Sequence, residues 1–268
     1  MYKDLYEKIQ KCCGYVTVFL DDEVISEGTC FTFTPEGEVI TAAHVVTGRV
    51  PIRHEDYSDP NAKIFVKFSG RPVLEYRVSF CSLGIRSEAF TEDIQLDIAA
   101  LAPKQRQETQ FPYLPASLTP PHLGQRVFLA GFSDDLVLPF NLDRIADRSY
   151  PGMEGFFAAM RNGYMADMMG PLIKHALVGN HRRIHASNSV EHINVEADLF
   201  YLDSGVNSGA SGGPVVNESG EAIGVISQRA VTSASQESAP NLKVPSGATM
   251  AISLHPMETV RLLMARKA

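Results

Sequence analysis

Residues 207–216, Asn-Ser-Gly-Ala-Ser-Gly-Gly-Pro-Val-Val, decide the fold of this chain. Ser211 stands in a turn with glycines on both sides, and Pro214 leads directly into an apolar strand. Glycines permit positive φ angles and let a substrate approach the main chain closely. Such a turn can direct the N–H groups of Gly209 and Ser211 into one concavity, which is what an oxyanion hole requires. Taken alone, the stretch also fits a glycine-rich hairpin that happens to contain a serine.

Two upstream motifs supply groups that could activate Ser211. A serine hydroxyl is a poor nucleophile at neutral pH, so it needs a base, and the base needs an orienting group. His44 follows an apolar strand and stands among small residues. Asp97 lies in the apolar run 96–101, where an unpaired carboxylate would be costly. Singly, His44 could be a core histidine and Asp97 a strand cap, but the order His, Asp, Ser indicates a catalytic triad.

These motifs resemble those of the trypsin-like serine peptidases of the chymotrypsin superfamily, most closely the peptidase domain of the HtrA (Deg) family. The resemblance covers roughly residues 14–132 and 195–262, and its most specific segments are 28–46, 96–101, 202–214 and 220–227. It implies an all-β fold with a helical insertion, in which two six-stranded antiparallel β-barrels pack together as in chymotrypsin and trypsin. The residues between 133 and 194 do not match the family.

The resemblance also implies a serine endopeptidase that uses no metal or organic cofactor and acts on a peptide or protein substrate. Ser211 would attack the scissile carbonyl, His44 would take its proton, and Asp97 would orient the imidazole. The N–H groups of Gly209 and Ser211 would receive the oxyanion. The expected substrate-binding positions are Gly205, Ile226, Ser227, Gln228, Arg229 and Gly247.

The S1 pocket predicted by the resemblance has Gly205 at its bottom, with Gly247 and the segment 227–229 as walls. No carboxylate stands at Gly205, so an Arg or Lys side chain at P1 would lack its counter-charge. We therefore expect a small or medium apolar P1 residue. An acidic P1 residue that pairs with Arg229 is the second expectation, because a guanidinium binds a carboxylate well.

Ala210 marks a departure from the digestive trypsin-like enzymes. In those enzymes an aspartate directly before the nucleophile pairs with an N-terminal amine that proteolytic cleavage releases. Ala210 has no charge with which to hold such an amine. We therefore expect the turn around Ser211 to be held by local hydrogen bonds and packing, by substrate, or by the helical insertion.

Two other function classes fit parts of the sequence. A catalytically silent peptide-binding module would keep the same fold, but none of the three triad residues is missing. An esterase of the α/β-hydrolase type would place its nucleophile before the histidine. In this chain His44 precedes Ser211, so the order excludes that class.

Composition and charge exclude further classes. The chain has 268 residues, is 44% hydrophobic and carries a net charge of −7, and it contains no basic cluster interleaved with aromatic residues. This negative net charge does not favour binding to nucleic acid or to an anionic membrane surface. No apolar run approaches the roughly 20 residues needed to span a bilayer, and the charged N-terminus does not resemble a signal peptide. We therefore expect a cytoplasmic protein, with an oligomeric state that the sequence does not indicate.

Cysteine and histidine spacing predicts no metal site. The four cysteines, at positions 12, 13, 30 and 81, match no ligand motif, and their number suits a reduced compartment. His181, His185 and His192 are close in sequence, but the segment reads as strand or loop and has no nearby Glu or Cys to complete a zinc site.

Periodicity and turn residues predict one peptidase domain over residues 1–268. Its first barrel is expected at 15–110 and its second at 123–255, joined by a proline-rich connector. Residues 1–13 show helical spacing, and a Met-, Ala- and Phe-rich stretch predicts a helical insertion at about 135–180. Residues 256–268 are expected to form a C-terminal helix that starts with Pro256 near its first position.

Overall fold

The fold is described by a computed structural model for residues 2–21, 23–85, 94–133, 149, 151, 167, 170–188, 193–233 and 242–258. Three short helices lie in the first part of the chain: α1 (Lys3–Cys12), α2 (Ala43–Thr47) and α3 (His54–Ser58). Six strands accompany them: β1 (Cys13–Leu20), β2 (Glu23–Thr32), β3 (Val39–Thr41), β4 (Ala62–Phe68), β5 (Val73–Ile85) and β6 (Ile94–Pro103). Six more follow: β7 (Arg126–Gly131), β8 (Leu172–Asn188), β9 (Ile193–Leu202), β10 (Pro214–Asn217), β11 (Ala222–Ser233) and β12 (Lys243–Ser253).

The strands form two closed six-stranded antiparallel barrels, which confirms the predicted fold class. The first barrel has the order β1-β2-β3-β6-β5-β4, and β1 pairs with β4 to close it. The second has the order β10-β11-β12-β9-β8-β7, and β10 pairs with β7. Closure leaves neither sheet with a long free edge, which is how β-proteins of this kind avoid edge-to-edge aggregation.

The strands fill three apolar layers: the interior of each barrel and the space between the two barrels. Successive residues of a strand point to opposite faces. On β6, Leu101 faces the interior of the first barrel, while Ile98 faces the second barrel. On β7, Leu129 faces the interior of its own barrel and Phe128 faces the first one. The layer between the barrels is therefore as apolar as their interiors, and it holds the two barrels in contact.

Helix α1 belongs to that middle layer. Its Ile9 and Cys12 are completely buried there, and the ring of Tyr6 lies edge-on to Phe128 at 5.7 Å between centroids. The helix expected at residues 1–13 is thus confirmed. Hydrogen bonds from Met257 N to Leu254 O and from Glu258 N to His255 O begin the expected C-terminal helix, whose residues 259–268 lie outside the described residues.

The predicted helical insertion at about 135–180 is wrong at its C-terminal end. Residues from Leu172 onwards form β8, which pairs antiparallel with β7 and β9. The predicted insertion is rich in Met, Ala and Phe at helical spacing, but two flanking strands provide hydrogen-bond partners along β8, and tertiary context overrides weak propensity. Apart from residues 149, 151 and 167, the stretch 134–169 of the predicted insertion lies outside the described residues.

A buried ionic cluster lies inside the second barrel. Asp198 is completely buried on the same face of β9 as Phe200. Its Oδ1 accepts hydrogen bonds from His181 Nε2 at 2.7 Å and Arg183 Nε at 2.9 Å. Its Oδ2 has no hydrogen-bond partner among the described residues, and His255 Nδ1 lies 4.0 Å from it. His181 lies on strand β8, as the sequence indicated, and serves this cluster.

We expect Asp198→Asn to lower the free energy of unfolding by about 2–3 kcal/mol, because hydrogen bonds to a charged acceptor are each worth about 1.5–3 kcal/mol. Glu196→Gln is the matched control, since Glu196 pairs with His185 at side-chain exposures of 44% and 64%. An exposed pair is worth about 1 kcal/mol or less. Urea unfolding at neutral pH measures both, and equal losses would contradict the special role of the buried carboxylate.

Candidate active site

His44 stands at the point where the first barrel faces the second. Strand β3 ends at Thr41, and the chain turns at once into α2, so His44 lies in the first turn of that helix. Gly48, with a φ of 70°, ends α2, and its N–H donates a hydrogen bond to His44 O at 2.8 Å. The helix is too short to move independently, and its other residues are buried. The imidazole is therefore held in place with a quarter of its side chain exposed to solvent.

Asp97 binds His44 through both carboxylate oxygens. Oδ1 accepts the main-chain N–H of His44 at 2.9 Å, and Oδ2 accepts a hydrogen bond from the ring nitrogen Nδ1 at 2.7 Å. Oδ2 also accepts the hydroxyl of Ser227 at 2.5 Å. Asp97 is on β6 and Ser227 on β11, so this carboxylate connects the two barrels.

These contacts shift the pKa of Asp97. Burial alone would raise the pKa, because it penalises the charged form. The hydrogen bond and charge of His44, together with the hydrogen bonds from Ser227 Oγ and His44 N, outweigh burial, and the pKa of Asp97 lies below its ordinary value. The carboxylate is consequently ionised at neutral pH and able to stabilise a positive charge on the imidazole.

The turn that carries Ser211 is locked against both barrels at its glycines. A Cβ atom on Gly212, whose φ is 85°, would lie 2.1 Å from Thr29 O, and one on Gly213 would lie 1.9 Å from Ala130 O. Only glycine fits at either position. Thr29 reinforces the turn, since its N–H donates to Ser211 O at 2.9 Å and its Oγ1 donates to Gly209 O at 2.8 Å.

The N–H groups of this turn fall into two sets. Those of Ala210, Gly212 and Gly213 donate to main-chain oxygens within the protein. Those of Gly209 and Ser211 have no acceptor anywhere in the described part of the chain. Two donors without an acceptor in the described part of the chain therefore flank Ala210, and backbone donors of this kind can bind an incoming anionic oxygen.

The hydroxyl of Ser211 donates to Ser227 O at 3.2 Å. Ser227 thereby touches both Ser211 and Asp97, through its carbonyl and its hydroxyl. The sequence indicated Ser227 as a substrate contact and gave no sign of its bond to Asp97. Its position directly after the apolar run 222–226, at 1% exposure, is the signal that could have suggested a buried polar partner.

The other predicted substrate-binding residues lie around this turn. Gly205 and Gly247 are packed together, because a Cβ atom on Gly205 would lie 3.2 Å from Gly247 Cα. Gln228 and Arg229 are exposed on β11. The main-chain groups of Ile226 are already used, since its oxygen accepts Gly212 N at 2.7 Å and its N–H donates to Gly213 O at 2.8 Å. Ile226 thus supports the turn.

Among the residues that the structure describes, neither a reactive cysteine nor a metal-binding cluster adds to this site. The four cysteines are free and buried. Burial raises the pKa of the Cys12 thiol to about 11 and that of Cys81 to about 12. Within the described ranges, no group of three or more His, Cys, Asp or Glu side chains could hold a metal ion. His192 lies outside those ranges. No described helix has the length and apolar character that crossing a membrane demands.

Comparisons with known proteins support the family and the fold of this chain. The family model described as the trypsin-like peptidase domain matches residues 28–225. The crystal structure of the active form of the Rv3671c protease from M. tuberculosis is similar, with a TM-score of 0.52 at 15% sequence identity over 95% of this chain and 81% of that one. An inactive serine-to-alanine mutant of the same protease gives a TM-score of 0.53 at 16% identity, covering 95% of this chain and 87% of the other. A comparison with curated proteins gave no significant match.

The lowered pKa of Asp97 predicts a specific acid sensitivity. A carboxylate with a depressed pKa stabilises the fold above its unfolded-state pKa of about 3.9, and this contribution is lost as the pH falls through the folded-state value. The free energy of unfolding should therefore fall more steeply below about pH 4 in the wild type than in Asp97→Asn. Denaturant titrations from about pH 6 to about pH 2 measure both curves. Parallel curves would contradict the assignment.

Proposed function

The chain belongs to the trypsin-like peptidases, and we propose that it is a serine endopeptidase that hydrolyses peptide bonds through Ser211, His44 and Asp97. The observation that carries the proposal is the hydrogen-bonded connection from His44 through Asp97 and Ser227 to Ser211. It brings a hydroxyl, an imidazole and an ionised carboxylate from three distant parts of the sequence to one place between the barrels.

Asp97 determines which nitrogen of His44 acts as the base. Because the Nδ1–H group of His44 donates a hydrogen bond to Asp97 Oδ2, the lone pair of the neutral ring is on Nε2. Ser211 Oγ turns from Ser227 O towards Nε2, transfers its proton there and attacks the carbonyl carbon of the substrate. The imidazolium that forms is stabilised by the Asp97 carboxylate, which itself stays ionised.

The carbonyl oxygen of the substrate becomes an oxyanion when Ser211 attacks. The N–H groups of Gly209 and Ser211 receive it, because neither is committed to an acceptor within the described protein. Collapse of this intermediate breaks the peptide C–N bond, and His44 Nε2–H protonates the leaving amine. Water then hydrolyses the acyl-serine by the same route and restores the Ser211 hydroxyl.

The peptide substrate extends β11 as an added strand. The main-chain groups of Ile226 are bonded to the turn, so pairing starts at Ser227 O and continues along Gln228. In the described ranges no strand lies on that edge of β11 beyond Ser227, while the opposite edge pairs with β12. Main-chain pairing of this kind suits any sequence, and side-chain pockets then provide selectivity.

The triad assignment predicts two kinetic results. Asp97→Asn should fold and lose about 10⁴-fold in kcat, because the imidazole takes the wrong tautomer. Ser211→Ala should abolish labelling by a fluorophosphonate probe. Peptide hydrolysis and probe labelling at neutral pH measure both effects.

Asp93→Asn is the matched control, since Asp93 is close to Asp97 in sequence but lies outside the described residues. Loss of activity in Asp93→Asn with retention in Asp97→Asn would contradict the assignment. A folded wild type that binds peptide without reacting with the probe would instead indicate a catalytically silent peptide-binding module.

Gly205, which packs against Gly247, brings no carboxylate to the predicted S1 pocket, so Arg or Lys at P1 has no counter-charge there. Cleavage should follow small or medium apolar P1 residues in a positional-scanning peptide library. If acidic P1 residues dominate and Arg229→Gln removes that preference, Arg229 is the selective group. Dominant cleavage after Arg or Lys would contradict both expectations.

A further inference from the structure

Behind the turn that carries Ser211, a small cavity separates it from strands β7 and β8. The cavity wall includes Leu129, Gly131, Leu172, Val206 and Ala210, which are mostly apolar, and one charged side chain, that of Lys174. Lys174 lies on β8 opposite Leu129 and is half-buried. An ammonium group in such surroundings needs acceptors to replace the water that it has lost.

Lys174 finds those acceptors on the turn itself. Its Nζ donates to Gly205 O at 2.7 Å and to Asn207 Oδ1 at 3.4 Å. No carboxylate of the described residues pairs with it, so main-chain and amide oxygens are the partners of the charge. A hydrogen bond with an ionised donor is about twice as strong as a neutral one. The first part of the turn, Gly205–Asn207, is therefore attached to β8 through this one side chain.

The remainder of the turn is held from the opposite side. Thr29, on β2 of the first barrel, binds the main-chain oxygens of Gly209 and Ser211. Asn207 O accepts Ala210 N at 3.4 Å, a long bond that gives the turn little internal stability. Fixing both ends of the turn thus requires Thr29 at one end and Lys174 at the other.

The residue directly before the nucleophile carries no charge. Ala210 is only 4% exposed, and Gly131 of β7 lies so close to it that a Cβ atom on Gly131 would be 2.6 Å from Ala210 Cβ. The charge that orders this region therefore does not come from that position. It reaches the turn from β8 instead, as a cation that binds neutral oxygens.

We propose that Lys174 is a positioning residue, whose ammonium holds Gly205–Asn207 and thereby keeps the N–H groups of Gly209 and Ser211 free to bind an oxyanion. The inference rests on the proposed peptidase function and explains how the turn is ordered without an aspartate before Ser211. It also assigns a role to the first residues of β8, which lie within the stretch 133–194 that the peptidase resemblance does not cover.

The test compares Lys174→Met, which keeps the length of the side chain and removes its charge, with Lys174→Arg. Lys104→Met is the control, because Lys104 is an exposed lysine that pairs with Glu75 on the first barrel. For Lys174→Met we expect kcat, and the rate at which a fluorophosphonate labels Ser211, to fall on the order of ten- to a hundredfold. KM should change little, and Lys174→Arg should recover part of the rate.

A second readout is independent of activity. Hydrogen exchange, measured by mass spectrometry on peptides that span residues 203–213, should be faster in Lys174→Met and unchanged in Lys104→Met, with protection of β7 and β12 retained. Retained protection of the strands also shows that the variant folds; if Lys174→Met does not fold, Asn207→Ala takes its place with a smaller expected effect in the same direction.

Three results would overturn the inference: wild-type exchange in the turn of Lys174→Met, an unchanged kcat in an active enzyme, or an effect on KM alone, which would make Lys174 a substrate contact. An inactive wild type would contradict the proposed function, and the exchange measurement would then decide the role of Lys174 by itself.

Discussion

The buried carboxylate of Asp97 is the group on which the arrangement of the site depends. It lies on the first barrel, and three hydrogen bonds, two from His44 and one from Ser227 of the second barrel, keep it charged. An unpaired buried charge would be too costly to keep, so the contact between the barrels must preserve these donors. The apolar layer between the barrels brings β6 and β11 together. The hydrogen bond from Ser227 on β11 to Asp97 on β6 then limits how far the two strands can shift relative to each other.

The turn around Ser211 depends on a different physical constraint, which is lack of space. Gly212 and Gly213 contact main-chain atoms of both barrels so closely that no side chain fits. Steric exclusion of this kind restricts the backbone at these two glycines, and the hydrogen bonds from Thr29 and Lys174 hold the residues before them. Close packing and hydrogen bonds therefore act together on a turn in which the N–H groups of Gly209 and Ser211 have no acceptor among the described residues.

The two-barrel fold could be predicted because the local motifs resemble those of a known family, and the motifs indicated His44, Asp97 and Ser211 because each of these residues stands in a short segment with a distinctive pattern. The start of strand β8 was not predicted, since the sequence assigns residues up to about 180 to a helical insertion, and the pairing of this strand with β7 crosses about forty residues of chain. Lys174 was missed for the same reason: its contact with Gly205 exists only once β8 is a strand. The bond from Ser227 to Asp97 joins the two barrels and has no local signature.

The burial of all four thiols has a consequence for how this protein responds to inhibitors and oxidants. Only the thiolate form reacts readily with alkylating agents and peroxide, and apolar surroundings suppress that form at neutral pH. Cys81 comes close enough to Asp97 that the charge of the carboxylate further raises its pKa. Reagents that inactivate cysteine peptidases would therefore leave this site unmodified, and a hydroxyl-directed reagent would be needed to block it.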